Sequence, residues 1–369
     1  MKLPDHPQAQ MVLSTALEIG PSHSYLFHGP AGVGKRSAAR AFAAELLAEG
    51  DSDSESVRRR VAAGTHPDLS WVRPTGAHVM RTDDVDQPVI AAAARTPFEA
   101  RRRVFVLERV DTMNDEVANR MLKTLEDPAQ FVHLILLTEA LGRVLETIVS
   151  RCQLVRFDPL PADRIVSALE RDGVEAERAR ACGRLALGNA ARARFLASAE
   201  GEELRSEVEG LVKAALDGGP EPPEPWRPLL ERAERRRVEA EEEAARERAD
   251  RLELEPKGRE RKTLERELEE AAKRDGRRAR TEVLDLGLTL AAIGFRDLIC
   301  LAAGADDAVL GTDRTATLAV AARGRDPRRL REAAERCEDV RQALELNVNE
   351  ELALSALGFR LASLVGAPA

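Results

Sequence analysis

Seven residues near the start of the chain carry the clearest chemical signal. Gly29-Pro30-Ala31-Gly32-Val33-Gly34-Lys35 follows a short apolar run and opens an Ala- and Leu-rich stretch. That is the strand-to-helix setting in which a glycine-rich loop cradles phosphate. Gly29, Gly32 and Gly34 let the backbone curl until its N–H groups face one point. The helix start adds partial positive charge there, and Lys35 reaches the β and γ phosphates. Such a loop ordinarily continues with Ser or Thr, whose hydroxyl holds Mg²⁺. Arg36 stands there instead. Ser37 comes one position late, about 100° further round a helix. A guanidinium can pair with a phosphate but cannot ligate a cation.

A second strand end tests the same chemistry. The run Val104 to Leu107 is followed by Glu108-Arg109. A hydrolysing site needs one acid here to organise Mg²⁺ and another to activate water. Glu108 keeps a carboxylate, one methylene longer than Asp. Arg109 stands at the base position, and a guanidinium accepts no proton at neutral pH. If the strand ends a residue or two later, Asp111 becomes the acid, and both readings stay open. Ser150-Arg151-Cys152 lies just before the last apolar run. An arginine at a sheet edge is either a surface charge or a finger offered to a neighbour's γ-phosphate, and spacing alone does not choose. Together these residues imply passive ATP or ADP binding, no required cofactor, no metal and no intrinsic ATPase.

The elements that must position these groups alternate. Strands are expected at 25–28, 69–72, 103–107, 133–138 and 153–157. Helices are expected at 8–19, 35–47, near 83–95 and at 114–126, where Val117, Met121, Leu122 and Leu125 share a face. Alternation at this spacing implies a parallel sheet covered by helices, with ligands beyond the carboxyl ends of the strands. Pro159 and Pro161 mark a boundary, beyond which the patterns are all helical. The fold class is therefore α/β plus all-α.

Composition narrows the function. Hydrophobic residues make up 43% and aromatics 3%, so the cores are built of Leu, Val and Ala. The net charge of −8 argues against a chain coated in basic charge for nucleic acid. Arg101, Arg102 and Arg103 form a local cluster that reads as a solvated strand entry. Cys152, Cys182, Cys300 and Cys337 are scattered, with no Cys-x-x-Cys pair, which speaks against zinc and for a reducing compartment. No run of 18 apolar residues suggests a membrane span. MKLPDHPQAQ lacks the apolar centre of a signal peptide, so a cytoplasmic protein is expected. Residues 231–280 hold 17 Lys/Arg and 16 Asp/Glu. Apolar residues look too sparse there for a core-facing stripe, and a solvated helical hairpin supported by i,i+4 pairs is expected, broken at Pro256 and Gly258.

Residues 104–157 resemble the clamp-loader subfamily of AAA+ proteins. VFVLERVDTMNDEVANRMLKTLEDP, HLILLTEA and ETIVSRCQLVRF carry the resemblance, with His66-Pro67-Asp68-Leu69 before them. It covers roughly the first 160 residues. The resemblance implies an AAA+ P-loop domain over 1–160, a small helical lid over 161–205, and a helical collar over 206–369 with a charged hairpin insert at 226–280. It also implies a subunit that does not hydrolyse ATP. Such a subunit sits in a hetero-pentameric ring with the delta and gamma/tau subunits of DNA polymerase III, which loads a sliding clamp at primed DNA. Arg151 then becomes the trans finger, Thr138 a polar sensor at a strand end, and Arg192, after Gly188-Asn189, the lid's sensor arginine. The four-cysteine zinc module common before the His-Pro-Asp-Leu element is absent from 49–65. The alternative is an authentic ATP-hydrolysing gamma/tau-like subunit, against which Arg36 and Arg109 speak. A P-loop kinase would need a metal-ligating Ser or Thr and an acceptor-binding lid, and neither is found.

Overall fold

The computed structural model describes residues 3, 5–74, 79–218, 224–253, 259–344 and 348–366, without side chains for 247–264 and 267. The chain divides into two compact units, Met1–Leu160 and Pro161–Ala369.

The first unit begins with α1 (Pro7–Ile19), β1 (Ser24–His28), α2 (Lys35–Ala48), α3 (Ser54–Ala63) and β2 (Leu69–Val72). A single turn, α4 (Asp83–Val85), runs on as a π-helical stretch over Asp86–Ala91. The α-helix expected near 83–95 is thus mostly π-helical. Pro88 inside it has no N–H to donate, which disrupts α-helical bonding. Then come β3 (Arg103–Leu107), α5 (Asp115–Glu126), β4 (Val132–Thr138), the short α6 (Glu146–Val149) and β5 (Gln153–Arg156). The five strands are parallel, in the order β2-β3-β4-β1-β5. β1 therefore lies between β4 and β5, and His28 at its end pairs with Thr138 at the end of β4.

Alternating side chains feed two cores. Tyr25, Phe27, Val104, Val106, Ile135 and Leu137 pack with Leu13 of α1, Phe42 and Leu46 of α2, and Val57 and Val61 of α3. Leu26, Phe105, Leu107, Leu134 and Leu136 face the other way, onto Val117, Met121 and Leu125 of α5 and Ile148 of α6. Helices on both faces explain why the strands read as apolar runs rather than as alternating ones.

The His66-Pro67-Asp68-Leu69 element is a fastener. Asp68 is fully buried, and its carboxylate accepts the backbone N–H groups of Phe98 (2.6 Å), Glu99 (2.9 Å) and Ala100 (2.9 Å). Burial opposes ionisation, but these bonds hold its pKa below the usual carboxylate value. The segment that leads into β3 is thereby tied to the start of β2.

The second unit is helical: α7 (Ala162–Arg171), α8 (Ala176–Leu185), α9 (Ala190–Ala197), α10 (Ala199–Asp217), α11 (Arg227–Glu253), α12 (Arg259–Ala302), α13 (Thr315–Ala322), α14 (Pro327–Leu344) and α15 (Glu350–Val365). α11 and α12 pack side by side as the charged hairpin. Pro256 and Gly258 lie outside the described residues. The apolar seam is less sparse than the sequence suggests, because small residues make it. Ala233 and Ala240 of α11 and Ala272 of α12 are buried, and Gly276 lies so close to α11 that a Cβ there would meet Glu241 Cγ at 2.6 Å. Arg237 bonds Glu234 and Glu241 at 2.6 Å each along the same helix. Arg280 of α12 pairs with Glu234 of α11 and Glu350 of α15.

At the amino ends of the strands, His133 is 2% exposed and stacks on His23, with centroids 5.5 Å apart. Its Nδ1 lies 2.9 Å from the Ser22 carbonyl and its Nε2 3.0 Å from an Arg102 nitrogen. A carbonyl must accept and a guanidinium must donate, so the ring is neutral with its proton on Nδ1. Burial lowers its pKa from 6.5 to about 4. The unfolded chain thus takes up this proton at a higher pH than the folded one. The folded state keeps its full advantage above pH 6.5 and loses it as the pH falls towards 4, by about 3 kcal/mol in total. Denaturant titrations at pH 7 and pH 4.5 should show a smaller acid-induced loss of stability in His133→Gln than in the wild type. An equal loss in both would refute this role.

Candidate functional site

The candidate site lies at the carboxyl ends of β1, β3 and β4, where a parallel sheet presents its loops. The loop after β1 turns on left-handed glycines, with φ of 146° at Gly29, 71° at Gly32 and 99° at Gly34. Gly29 has a second reason to be glycine: a Cβ there would sit 2.0 Å from the Phe157 carbonyl oxygen. The same contact closes β1 against the chain leaving β5, where Phe157 N–H donates to His28 O at 2.8 Å. Gly34 caps α2 through its backbone geometry, with no side-chain bond.

Lys35 is 7% exposed, and its ammonium donates to the carbonyls of Gly29 and Pro30 at 2.5 Å each. Burial lowers its pKa, opposed by the charges of Glu139 and Asp111 and assisted by Arg36. From the other side, His6 Nε2 lies 2.6 Å from the Val33 carbonyl, while the ring packs edge-on against Phe157. A carbonyl can only accept, so His6 carries a proton on Nε2. Sequence reasoning missed this latch, since a single His before a helix gives no signal.

β3 ends at Leu107, so Glu108 takes the strand-end position. Its side chain is buried among three donors. Trp71 Nε1 donates to Oε1 at 2.6 Å, and Arg73 Nε to the same oxygen at 3.2 Å. Oε2 lies 2.5 Å from an Arg36 nitrogen. That second contact is an ion pair without the alignment of a hydrogen bond. Arg40 stacks over Trp71 at 4.9 Å and so backs the indole. Trp71 was readable only as a strand residue. Its indole N–H, which needs a partner when partly buried, was the available clue.

Arg109 follows in the left-handed region at φ 54°. It turns the chain sharply off the strand into a short 3₁₀ turn over Val110–Thr112. Asp111, the other candidate acid, sits in that turn and takes a different partner. Its Oδ1 accepts the Thr138 hydroxyl at 2.8 Å. Thr138 also accepts from Ala140 N–H at 3.1 Å. The strand-end hydroxyl and Asp111 thus brace β3 against β4. Ser37, together with Arg36 and Arg40 of α2 and Arg58 and Val61 of α3, lines an open groove of about 630 Å³.

Arg151 leaves the chain after α6, with its side chain 34% exposed. It donates to Thr147 O at 2.8 Å and to Glu126 Oε1 at 2.5 Å. Glu126 is the last residue of α5, so the arginine is held by the end of that helix. Its neighbour Cys152 packs into the core, and burial pushes the thiol pKa up to about 12. Cys152 is therefore an inert anchor beside a projecting cation. Arg192 belongs to the second unit. Its backbone N–H is capped by Asn189 at 2.9 Å. Burial lowers its pKa, with Asp285 of α12 and Arg341 of α14 as the charges that act on it. It is thus surrounded by the helical unit's own groups. Among the described residues, no group of three or more His, Cys, Asp and Glu is disposed to hold a metal, and no helix is long and apolar enough to cross a membrane.

A phosphate loop after the first strand, a 2-3-4-1-5 parallel sheet and charged strand ends around one crevice define a P-loop domain of the AAA+ class. Residues 6–161 match the family described as DNA polymerase III, delta subunit. The chain is 35% identical over 163 residues to the DNA polymerase III subunit delta' of Bacillus subtilis, covering 43% of this chain and 49% of that protein. To the subunit delta' of Pseudomonas aeruginosa it is 38% identical over 146 residues, 38% of this chain and 44% of that one. The tau subunit of Bacillus subtilis matches at 30% identity over 152 residues, 41% of this chain and 27% of that one. A solved gamma-subunit-related protein of Thermotoga maritima is a distant likeness, with TM-score 0.49 and 15% identity over 97% of this chain and 99% of that one. Over residues 6–161 the N-terminal unit is similar to clamp-loader domains of the delta-prime kind. The chain spans about half the length of the curated relatives it matches.

The loop's geometry gives a direct test. Gly29→Ala must move the Phe157 carbonyl and hold a Cβ at a backbone angle that L-residues avoid. A destabilisation of roughly 2–4 kcal/mol is expected, read as a lower urea midpoint. An unchanged midpoint would show that β1 and β5 do not depend on this contact.

Proposed function

We propose that this chain is the delta-prime subunit of a bacterial DNA polymerase III clamp loader. It does not hydrolyse ATP itself and supplies Arg151 as an arginine finger to a neighbouring ATPase subunit. The observation that carries this reading is an exchange of roles among arginines. Arg36 stands at the metal-hydroxyl position and is paired with Glu108, Arg109 stands at the base position, and Arg151 projects from the sheet's edge. The first two arginines disable hydrolysis in this chain. The third is held in reserve by one carboxylate, Glu126, which a γ-phosphate can replace as its partner.

In this reading the partners are the delta and gamma/tau subunits of a hetero-pentameric ring, with the sliding clamp and primed DNA reached through the complex. Residues 161–205 form the lid, and residues 206–369 form the collar with its charged hairpin. ATP or ADP binds passively at Gly29–Lys35, no zinc is used, and the protein works in the cytoplasm. Thr138 is the polar sensor at the end of β4, with its hydroxyl donated to Asp111.

Two measurements test the reading. The purified chain should show no steady ATP turnover with or without primed DNA, and DNA-stimulated turnover would favour a gamma/tau-like ATPase instead. In the reconstituted complex, Arg151→Ala should leave the ring assembled but depress its ATPase. Loss of a finger costs about 10³ to 10⁵ at the site it serves, so a ring with several sites should lose only part of its rate. Unchanged ATPase and clamp loading would remove the trans role.

A further inference from the structure

The residues at the strand end do not fit a divalent cation. Mg²⁺ demands near-octahedral oxygen ligation at about 2.0–2.1 Å. The hydroxyl that would provide one ligand is replaced by Arg36. The carboxylate that would organise the ion is Glu108, which is 1% exposed, with Oε1 hydrogen-bonded and Oε2 held only in an ion pair. Oε1 accepts from Trp71 and Arg73, and Oε2 lies 2.5 Å from an Arg36 nitrogen. Asp111 is bonded to Thr138, and Glu139 and Asp111 both act on Lys35.

The same side chains supply the charge that a metal would bring. Lys35 and Arg36 place two cations in the first turn of α2, with no acidic residue there to balance the helix dipole. Glu108 is a single carboxylate shared between Arg36 and Arg73. Arg36 and Arg73 outnumber that carboxylate, while Lys35 feels the charges of Glu139 and Asp111. Arg36 is 54% exposed while Glu108 is 2% exposed at the side chain. The guanidinium has five donors. It can stay ion-paired with Glu108 and turn donors to a phosphate oxygen.

We propose that Arg36 is a built-in replacement for the divalent cation, so that the loop Gly29–Lys35 binds nucleoside polyphosphate free of metal. This rests on reading that loop as a phosphate cradle, as in the proposed function, and is independent of the role of Arg151. Glu108 becomes the fixed anchor for Arg36, and Trp71 and Arg73 become positioning residues for Glu108.

The test uses the full chain, a fluorescent ATP analogue and equilibrium titrations in excess EDTA and in Mg²⁺. The wild type should bind with affinities within about twofold of each other in the two buffers, since any pairing comes from the protein. Arg36→Thr removes a charge-assisted contact and restores a hydroxyl, so its affinity in EDTA should fall about tenfold or more. Mg²⁺ should restore part of that loss. Electron paramagnetic resonance of added Mn²⁺ should show bound metal with the analogue in Arg36→Thr and none in the wild type. Wild-type binding that requires Mg²⁺, wild-type capture of Mn²⁺, or no binding of the analogue in either buffer each overturns the proposal. The wild-type titrations need no variant, so a poorly folded Arg36→Thr leaves the test intact. A chain that binds metal-free analogue while Arg151→Ala leaves the complex unaffected keeps this inference and loses only the trans-finger role.

Discussion

A carboxylate buried at the end of a sheet must be given a counter-charge, because burying it alone costs several kcal/mol. Glu108 sets that constraint here, and much of the site follows from it. Trp71 and Arg73 come from β2 and the residue after it, and Arg36 comes from the first turn of α2. One side chain thus ties the phosphate loop's helix to the far half of the sheet, across β4 and β1. In a hydrolysing site, that position would be shared with a metal and would stay open to it. Here Arg36 takes that place from within the protein.

The loop itself is held by a different set of contacts. Lys35 bonds two carbonyls of its own loop, His6 bonds a third, and Phe157 presses a carbonyl against Gly29. These contacts hold the loop's backbone through its carbonyls. The cost is a buried ammonium and two cations at the positive end of a helix, an arrangement that an anion relieves. Arg151 shows the opposite balance. It is partly exposed, paired with one exposed carboxylate, and mounted beside a buried inert thiol. A surface pair of that kind contributes little to stability, so the arginine can change partner at low cost.

Much of this was legible in the residues. The glycine-rich loop and the strand ends at Leu107 and Thr138 rest on local signals: glycine spacing and apolar runs. Asp111 was a live alternative to Glu108 because spacing alone cannot say where a strand stops. The π-helical turn at Asp86–Ala91 gives no signal of its own in the helical pattern near 83–95. The seam of the charged hairpin was underestimated because alanine and glycine count as weakly apolar. At close helix–helix approach they pack best.

By itself the sequence determined the alternating elements, the phosphate cradle and the substitution of arginine at positions 36 and 109, because each is written in neighbouring residues. Only the tertiary structure decided where those charges go. That Arg36 meets Glu108, that His6 grips Val33, that Asp111 braces Thr138, and that Arg192 sits among the charges of its own helical unit are all contacts between distant parts of the chain. Charge pairing depends on distance in space and on burial, and neither is carried by spacing along the sequence.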